Sequence, residues 1–392
     1  MKLKPLLILI NIIILLIILF AGFWPFEFKP ANNVRRLNDN KGIILIRNNQ
    51  ILEADILSYS SLLSNLDNNT LIIEIRIKPY SATKNWLSNI LCFYDDKDPE
   101  IFMMAKWKSE LILRRRVQRP SGEYAYHEVG VTDAFITDKT ALITVSMDAS
   151  GTTVYIDGKK ASLFPRYILN PMNDNLSNAR LLVGNDPRIR VPWEGEIQGL
   201  AIYRGALNQF EASKHYVMWL THDHDSLSRE KSIIALYPMN EPSGPVLHNI
   251  ITWRNNLIIP GHLHAIKKMV LSKPWVNYWR EIKYYSDITI NIMGFIPLGF
   301  FLPALFRVCG VKRKSFVYIT AIFTGFSISL AIELIQVYMP FRSSSLTDLV
   351  CNTLGTILGV VVFEKSHAYI SVSASTPLGN HVFHINKQKN PD

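Results

Sequence analysis

Long apolar runs stand near both ends of the chain, and alternating apolar and polar positions fill much of the stretch between them. The first run, LLILINIIILLIILFAGFW (Leu6–Trp24), carries one polar side chain, Asn11. At about 1.5 Å per residue such a helix crosses a hydrocarbon core of about 30 Å. It is longer than the apolar part of a cleaved signal peptide, and GFWPFEF after it offers no small-x-small cleavage site. An uncleaved membrane helix is therefore expected. Three further membrane helices are expected near Ile288–Phe306, Phe316–Tyr338 and Leu346–Phe363. Between the runs the period is two. TLIIEIRIK (Thr70–Lys78) puts Ile73, Ile75 and Ile77 on one face and Glu74, Arg76 and Lys78 on the other, as in a half-buried strand. ALITVSMDASGTTVYIDGKKA (Ala141–Ala161) holds two strands joined at DASG, then a tight turn at Asp157-Gly158. ARLLVGND and GEIQGLAIYRGAL add more strands. No long amphipathic helix is expected among them, so the middle of the chain reads as an antiparallel β-sandwich.

Charge sets the topology. The chain has 42 Lys and Arg against 32 Asp and Glu, a net +10. That excess would suit nucleic acid or an anionic membrane, but no nucleic-acid reader motif accompanies it, so nucleic acid is not an expected partner. Lys2 and Lys4 precede the first helix, and RVCGVKRK (Arg307–Lys314) separates the second from the third. Both basic segments belong on the cytoplasmic side, which puts the N- and C-termini there and residues 27–285 outside. The expected organisation is an N-terminal membrane helix (1–26), an extracytoplasmic sandwich with flanking segments (27–270), a membrane domain of an interfacial segment plus three helices (271–364) and a cytoplasmic tail (365–392). The interfacial segment is KPWVNYWREIKYYSD (Lys273–Asp287), rich in rings with polar tips. Only Cys92 of the three cysteines (Cys92, Cys309, Cys351) lies outside, so no intramolecular disulfide is expected there.

The membrane helices are not uniformly apolar. By depth, Asn291, Glu333, Gln336, Arg342, Asp348 and Asn352 converge on one layer near the outer surface, although they come from three helices and a loop. Polar groups at that depth are costly unless paired, and they often mark function. Arg342 could pair with Glu333 or Asp348, or hold an anionic headgroup. Gly355 and Gly359 permit close helix approach, and Pro297 is expected to kink or loosen its helix. In the outer domain Asn185 and Asp186 could ligate Ca²⁺ or simply form a polar turn. Trp107 and Trp193 could stack on sugars or fill the core. The pairs His222/His224 and His262/His264 read as solvated loops rather than a shared metal site, and Arg114–Arg116 lie on a strand. No metal or other cofactor is expected beyond that calcium.

Two resemblances join these features. IIEIRIKP, TVSMDASGTTVYIDGKKA, LLVGND and WEGEIQGLAIYRGALNQFE together resemble the concanavalin A-like/laminin-G-like family over residues 60–220. Gly195, Ile197, Tyr203, Ala206, Leu207 and Glu211 fill that family's closing pattern. IIALYPMNEPSG (Ile233–Gly244) resembles the opening strand of such a domain and either completes the same sandwich or is a fragment of a repeat. NIMGFIPLGF followed by ELIQVYMPFRSSSLTDLVCNTLGTILG resembles the VanZ-like membrane family over residues 275–364. Asn291, Phe295, Pro297, Gly299, Glu333, Gln336, Arg342, Asp348, Asn352, Gly355 and Gly359 stand at its pattern positions. The first resemblance implies glycan binding, often with Ca²⁺. The second implies a cell-envelope location and an association with glycopeptide resistance, but no reaction. The expectation is thus a non-enzymatic envelope protein whose sandwich binds a glycan or protein and whose membrane layer binds a lipid or amphiphile. The alternative is an intramembrane enzyme acting on a lipid-linked precursor, with Glu333 or Asp348 as general acid/base and Arg342 as anion clamp.

Overall fold

The computed structural model describes residues 3–39, 41–46, 49–54, 70–95, 100–171, 179–263, 269–272 and 282–375. The chain forms two compact units. One is Glu27–Lys268 with Tyr338–Phe341, and the other is Met1–Phe26, Met269–Val337 and Arg342–Asp392.

The first unit is an antiparallel sandwich of two sheets. Its strands are β1 (Arg35–Arg36), β2 (Ile43–Leu45), β3 (Leu52–Ala54), β4 (Leu71–Pro79), β5 (Leu87–Tyr94), β6 (Phe102–Trp107), β7 (Glu110–Gln118) and β8 (Tyr124–Val131). Then come β9 (Ala141–Asp148), β10 (Gly151–Ile156), β11 (Lys159–Phe164), β12 (Arg180–Val183), β13 (Gly195–Tyr203), β14 (Ile233–Tyr237), β15 (Val246–Leu247) and β16 (Leu257–Ile258). One sheet runs β1-β2-β13-β4-β9-β10-β11, and the other β15-β16-β3-β12-β5-β6-β7-β8. The stretch that begins at Ile233 completes this sandwich. β14 pairs with residues 200–203 of β13 and β2 with residues 195–197, so the two share one edge of that strand. Ile73, Ile75 and Ile77 of β4 point inward with Ile143, Val145 and Met147 of β9, against Leu91, Phe93, Phe102 and Met104 of the facing sheet.

The outer face of the first sheet is where expectation fails. A helix, α2 (Gln209–Leu220), follows β13 and lies over it. Asn208 and Glu211 form its capping box, each side chain binding the other's backbone N–H. The helix escapes a hydrophobicity reading because its inward stripe is Ala212, His215 and Trp219, only one of them a large apolar residue. Under this roof Glu74, expected on a solvated face, is fully buried. Trp219 also sits where a side chain on Gly199 would collide with it, a Cβ there falling 2.3 Å from the indole. A short helix, α3 (His224–Ser228), comes next, with Asp223 as N-cap.

The second unit holds α1 (Leu3–Phe23), α4 (Ile282–Val308), α5 (Lys314–Gln336) and α6 (Leu346–Ser375). All four are long and apolar enough to cross a membrane. Pro297 and Pro303 both lie inside α4, which continues through them as one helix rather than breaking. Neighbouring helices commonly hold such prolines in place within a bundle. Ideal Cβ atoms on Gly355 and Gly359 would lie 2.2 Å from the carbonyl oxygens of Ile292 and Ile296, and one on Gly299 would lie 2.0 Å from that of Thr356. The backbones of α4 and α6 thus touch, a distance open only to glycine. α1 joins the same bundle: Ile18 packs with Phe295, Leu298 and Ile332, and the Asn11 amide donates to the Phe301 carbonyl at 3.2 Å. Most of the expected interfacial segment, residues 273–281 with Trp275, Tyr278 and Trp279, lies outside the described residues.

Candidate functional site

Helix ends organise the polar layer. A helix N-terminus exposes unpaired N–H groups and partial positive charge, and a C-terminus exposes carbonyls and partial negative charge. Glu333, on the last turns of α5 and 1% exposed, accepts a 2.7 Å hydrogen bond from the Ser345 N–H at the start of α6. The buried Ser344 side chain lies beside this carboxylate. The Leu346 N–H is taken by the Ser272 carbonyl at 3.1 Å, and the Asp348 N–H by Ser345 Oγ at 3.4 Å. At the opposite kind of end, Gln336 Nε2 donates to the Gly22 carbonyl of α1 at 2.8 Å. Arg342 Nη2 donates to the Ala21 and Gly22 carbonyls at 3.0 and 3.2 Å. The acid therefore sits at an N-terminus, and the two donors at a C-terminus.

Asp348 is placed differently. The amide of Asn291 on α4, Asp287 and Arg342 all lie within electrostatic range of its carboxylate. One turn deeper, Asn352 turns toward α5, where its Nδ2 donates to Ser329 Oγ at 2.9 Å inside the bundle. The buried Asn352 Oδ1 has no partner among the described residues. Ser329 and Thr356 are fully buried beside it. The structure brings Asn291, Glu333, Gln336, Arg342 and Asp348 to the ends of α1, α5 and α6, whereas Asn352 belongs to the bundle core. Sequence reasoning missed Ser344, Ser345, Ser329 and Thr356. The signal for Ser345 was present: SLTD, Ser345 to Asp348, is a serine three residues ahead of an acid at the head of an apolar run, the signature of a helix start.

The sandwich candidates separate. Trp193 is fully buried against Phe135, so its ring is not offered to a sugar. Asn185 is also fully buried, and its Oδ1 accepts from the Asp186 and Val191 N–H groups. Asp186 accepts from the Arg190 N–H at 2.6 Å and pairs with the Arg190 side chain. These oxygens build a turn. Trp107, at the end of β6, is 37% exposed. Arg114 pairs with Glu100 and Glu128, Arg115 donates to the Ile168 carbonyl, and Arg116 stacks on Tyr124 at 3.7 Å. Among the described residues no three His, Cys, Asp or Glu side chains are grouped to hold a metal, and His264 lies outside them. His222 and His224 are partly buried; the His222 Nε2 is 3.4 Å from Arg76 Nη1. Burial, reinforced by the Arg76 charge, lowers the pKa of His222, and burial with the His222 and Arg76 charges lowers that of His224.

Comparison with known proteins finds two family matches. The model of the VanZ/LLP1 family matches residues 232–367, and that of the concanavalin A-like lectin/glucanases superfamily (Laminin_G_3) matches residues 57–213. The chain joins a concanavalin A-like domain to a VanZ-like membrane domain. The VanZ-like match starts at β14 and excludes α1, which nonetheless packs against the helices of the matched region. No curated protein matches the chain. Solved structures similar to it include the Ruminococcus gnavus IT-sialidase CBM40 bound to alpha2,3 sialyllactose, 13% identical, covering 38% of this chain and 83% of that one with a TM-score of 0.32. A putative carbohydrate binding protein from Bacteroides ovatus is 12% identical over 59% of this chain and 58% of that one, with a TM-score of 0.37. The binding domain of botulinum neurotoxin DC in complex with rat synaptotagmin II is 11% identical over 48% and 45%, also at 0.37.

Proposed function

We propose that this is a multi-pass, non-enzymatic protein of the bacterial cytoplasmic membrane that couples recognition outside the cell to a lipid or amphiphile in the membrane. The sandwich lies outside, with both termini inside, and binds a glycan or an envelope protein. The VanZ-like domain receives a lipid or amphiphile headgroup at the polar layer, in a role linked to glycopeptide tolerance. The observation that carries this reading is the division of labour in that layer. Glu333, Gln336 and Arg342 spend hydrogen bonds on helix ends, while Asp348 on α6 and Asn291 on α4 stand half-buried near each other. A polar pair so placed stabilises the helices little by itself but suits a headgroup. The enzymatic alternative is less favoured, because Glu333, its first candidate base, is engaged with the Ser345 N–H at the start of α6.

Lipid and glycan mass spectrometry of the whole protein purified from its membranes tests the proposal. A lipid-linked species should be enriched over the bulk membrane and lost in Asp348→Asn. A lipid profile equal to the bulk in both proteins would sink the membrane half of the reading. Sidedness is tested separately at Cys309, the exposed cysteine between α4 and α5, since Cys92 and Cys351 are buried. An impermeant maleimide should label it only after cells are permeabilised.

A further inference from the structure

The two ends of the membrane unit carry opposite chemistry. Glu333, Asp348 and Arg342 lie at one end of α5 and α6, whereas the α4–α5 turn at the other end, residues 309–313, has cations and no acid. Residues 288–332 and 349–366 together contain one acid, Glu364, against Arg307, Lys312, Arg313, Lys314 and Lys365. Two of these cations are engaged. Arg307 Nη1 donates to the Val311 and Lys312 carbonyls at 3.4 and 2.7 Å and so closes the turn. Lys314 Nζ meets Glu364 Oε1 at 2.8 Å and ties α5 to α6. Lys312, Arg313 and Lys365 are exposed, and none has a carboxylate within ion-pair distance among the described residues. Arg313 is also the N-cap of α5 and makes no side-chain bond to its first N–H groups, so the positive helix end adds to the same field. One turn deeper, four residues after Lys314, Tyr318 meets Phe363 of α6 with ring centroids 6.5 Å apart. The Tyr318 hydroxyl is buried without a partner among the described residues, a costly arrangement for a polar group.

We propose that this turn and the adjoining end of α6 bind the headgroup of an anionic phospholipid, with Lys312, Arg313 and Lys365 around its phosphate and the Tyr318 hydroxyl donating to it from the seam between α5 and α6. Position decides the occupant. α5 has 23 residues, about 34 Å of helix, and α4 is likewise long and apolar enough to cross a membrane. A short turn joining two such crossings stands at the headgroup level of the bilayer. Phe316, Ile319 and Phe323 are exposed along one stripe of α5, which leads from the turn into the hydrocarbon and offers a surface for the acyl chains. Basic clusters beside spanning helices recognise anionic headgroups. A zwitterionic lipid has the same phosphate but brings its own cation against Lys312 and Arg313, so the cluster selects a lipid of net negative charge. The inference rests on the spanning helices and not on the ligand proposed for the polar layer.

The test is native mass spectrometry of the full chain in detergent, titrated with phosphatidylglycerol and with phosphatidylcholine of the same chain length. Detergent has no sidedness, so binding is read apart from any effect of charge on orientation. The parent protein should retain phosphatidylglycerol about tenfold more tightly than phosphatidylcholine. Lys312→Gln with Arg313→Gln should abolish that preference at an unchanged melting midpoint, and Lys312→Arg with Arg313→Lys should keep it. Tyr318→Phe should weaken phosphatidylglycerol retention about threefold. Asp348→Asn, at the other end of the bundle, should leave it unchanged. Equal retention of the two lipids by the parent would overturn the proposal, as would a preference for phosphatidylglycerol that survives Lys312→Gln with Arg313→Gln. So would displacement of the lipid by millimolar inorganic phosphate, which would assign the cluster to a soluble anion.

Discussion

Glu74 is the residue whose replacement speaks most directly to how the sandwich is built. Its carboxylate is fully buried and accepts from Tyr203 OH, Trp219 Nε1 and His215 Nδ1, each at 2.9 Å, and from Thr144 Oγ1 at 3.3 Å. Glu74→Ala strands these donors away from water and breaks a buried His–Glu pair. Breaking such a pair costs about 3–5 kcal/mol, and each stranded donor adds to that only in part, since neighbours relax. Glu74→Gln keeps the shape and one acceptor, so the expected cost is about 1.5–3 kcal/mol, that of a hydrogen bond to a charged group. For a domain of this size, 1 kcal/mol moves the midpoint by about 2–4 °C, so Glu74→Ala should lower it by about 6–20 °C. The assay is thermal unfolding of the detergent-solubilised protein followed by tryptophan fluorescence. The pH profile adds a second readout. Burial alone would lower the pKa of His215, but the hydrogen bond and charge of Glu74 outweigh it and raise it above the ordinary 6.5. The stability from this pair is therefore fully present below pH 6.5 and is lost as pH rises through the raised value. Glu74→Gln should flatten that alkaline decline. A Glu74→Ala midpoint within about 2 °C of the parent, or an unchanged alkaline limb in Glu74→Gln, would refute the reasoning.

Other consequences can be checked in the same preparation. His222 and His224 have lowered pKa values, so the fold favours their neutral forms: stability from this corner holds above pH 6.5 and falls as pH drops below it. Replacing both by Gln should remove that acid limb and leave the alkaline one. Gly359→Leu forces apart backbones now in contact and should cost about 1–3 kcal/mol or more, seen as lower yield and earlier thermal aggregation, while Leu354→Ile on an exposed face should be neutral. Arg342→Ala releases the α1 carbonyls of Ala21 and Gly22, so hydrogen exchange near residues 20–26 should speed up about tenfold, the equivalent of about 1.4 kcal/mol. Arg342→Lys, lacking the guanidinium fork, should restore only part of the protection.

Much of this architecture was legible where one physical signal dominates. The four spanning helices follow from apolar length, and β4, β9, β10 and β11 from alternation and the Asp157-Gly158 turn. α2 was hidden because its buried stripe relies on His215 and Trp219 bonding a carboxylate, and no hydrophobic period records that. The same omission put Glu74 on the wrong side of water. Trp193 and Asn185 were ambiguous by nature: a tryptophan after a strand and an asparagine in a turn suit a ligand or a core, and only the facing sheet decides. In the membrane domain, sequence placed the polar residues at one depth but could not pair them, because pairing depends on which helix end each one meets.

That pairing changes how the hairpin between α5 and α6 should be understood. Glu333 and Arg342, a carboxylate and a guanidinium on either side of one short loop, invite a reading as mutual partners or as joint catalysts. The geometry gives each a different task. Glu333 meets the positive end of α6 and Arg342 the negative end of α1, each where a helix dipole favours its charge. Replacing Glu333 or Arg342 would therefore disturb the helix ends whether or not a ligand binds, and a lost phenotype alone would not identify either as a binding residue. Asp348 and Asn291 separate the cases, because they lie near each other rather than holding a helix end as Glu333 and Arg342 do. If Asp348→Asn keeps the protein's level and its melting midpoint but loses an enriched lipid, the layer holds a ligand. If the midpoint falls with the lipid, this pair too belongs to the framework.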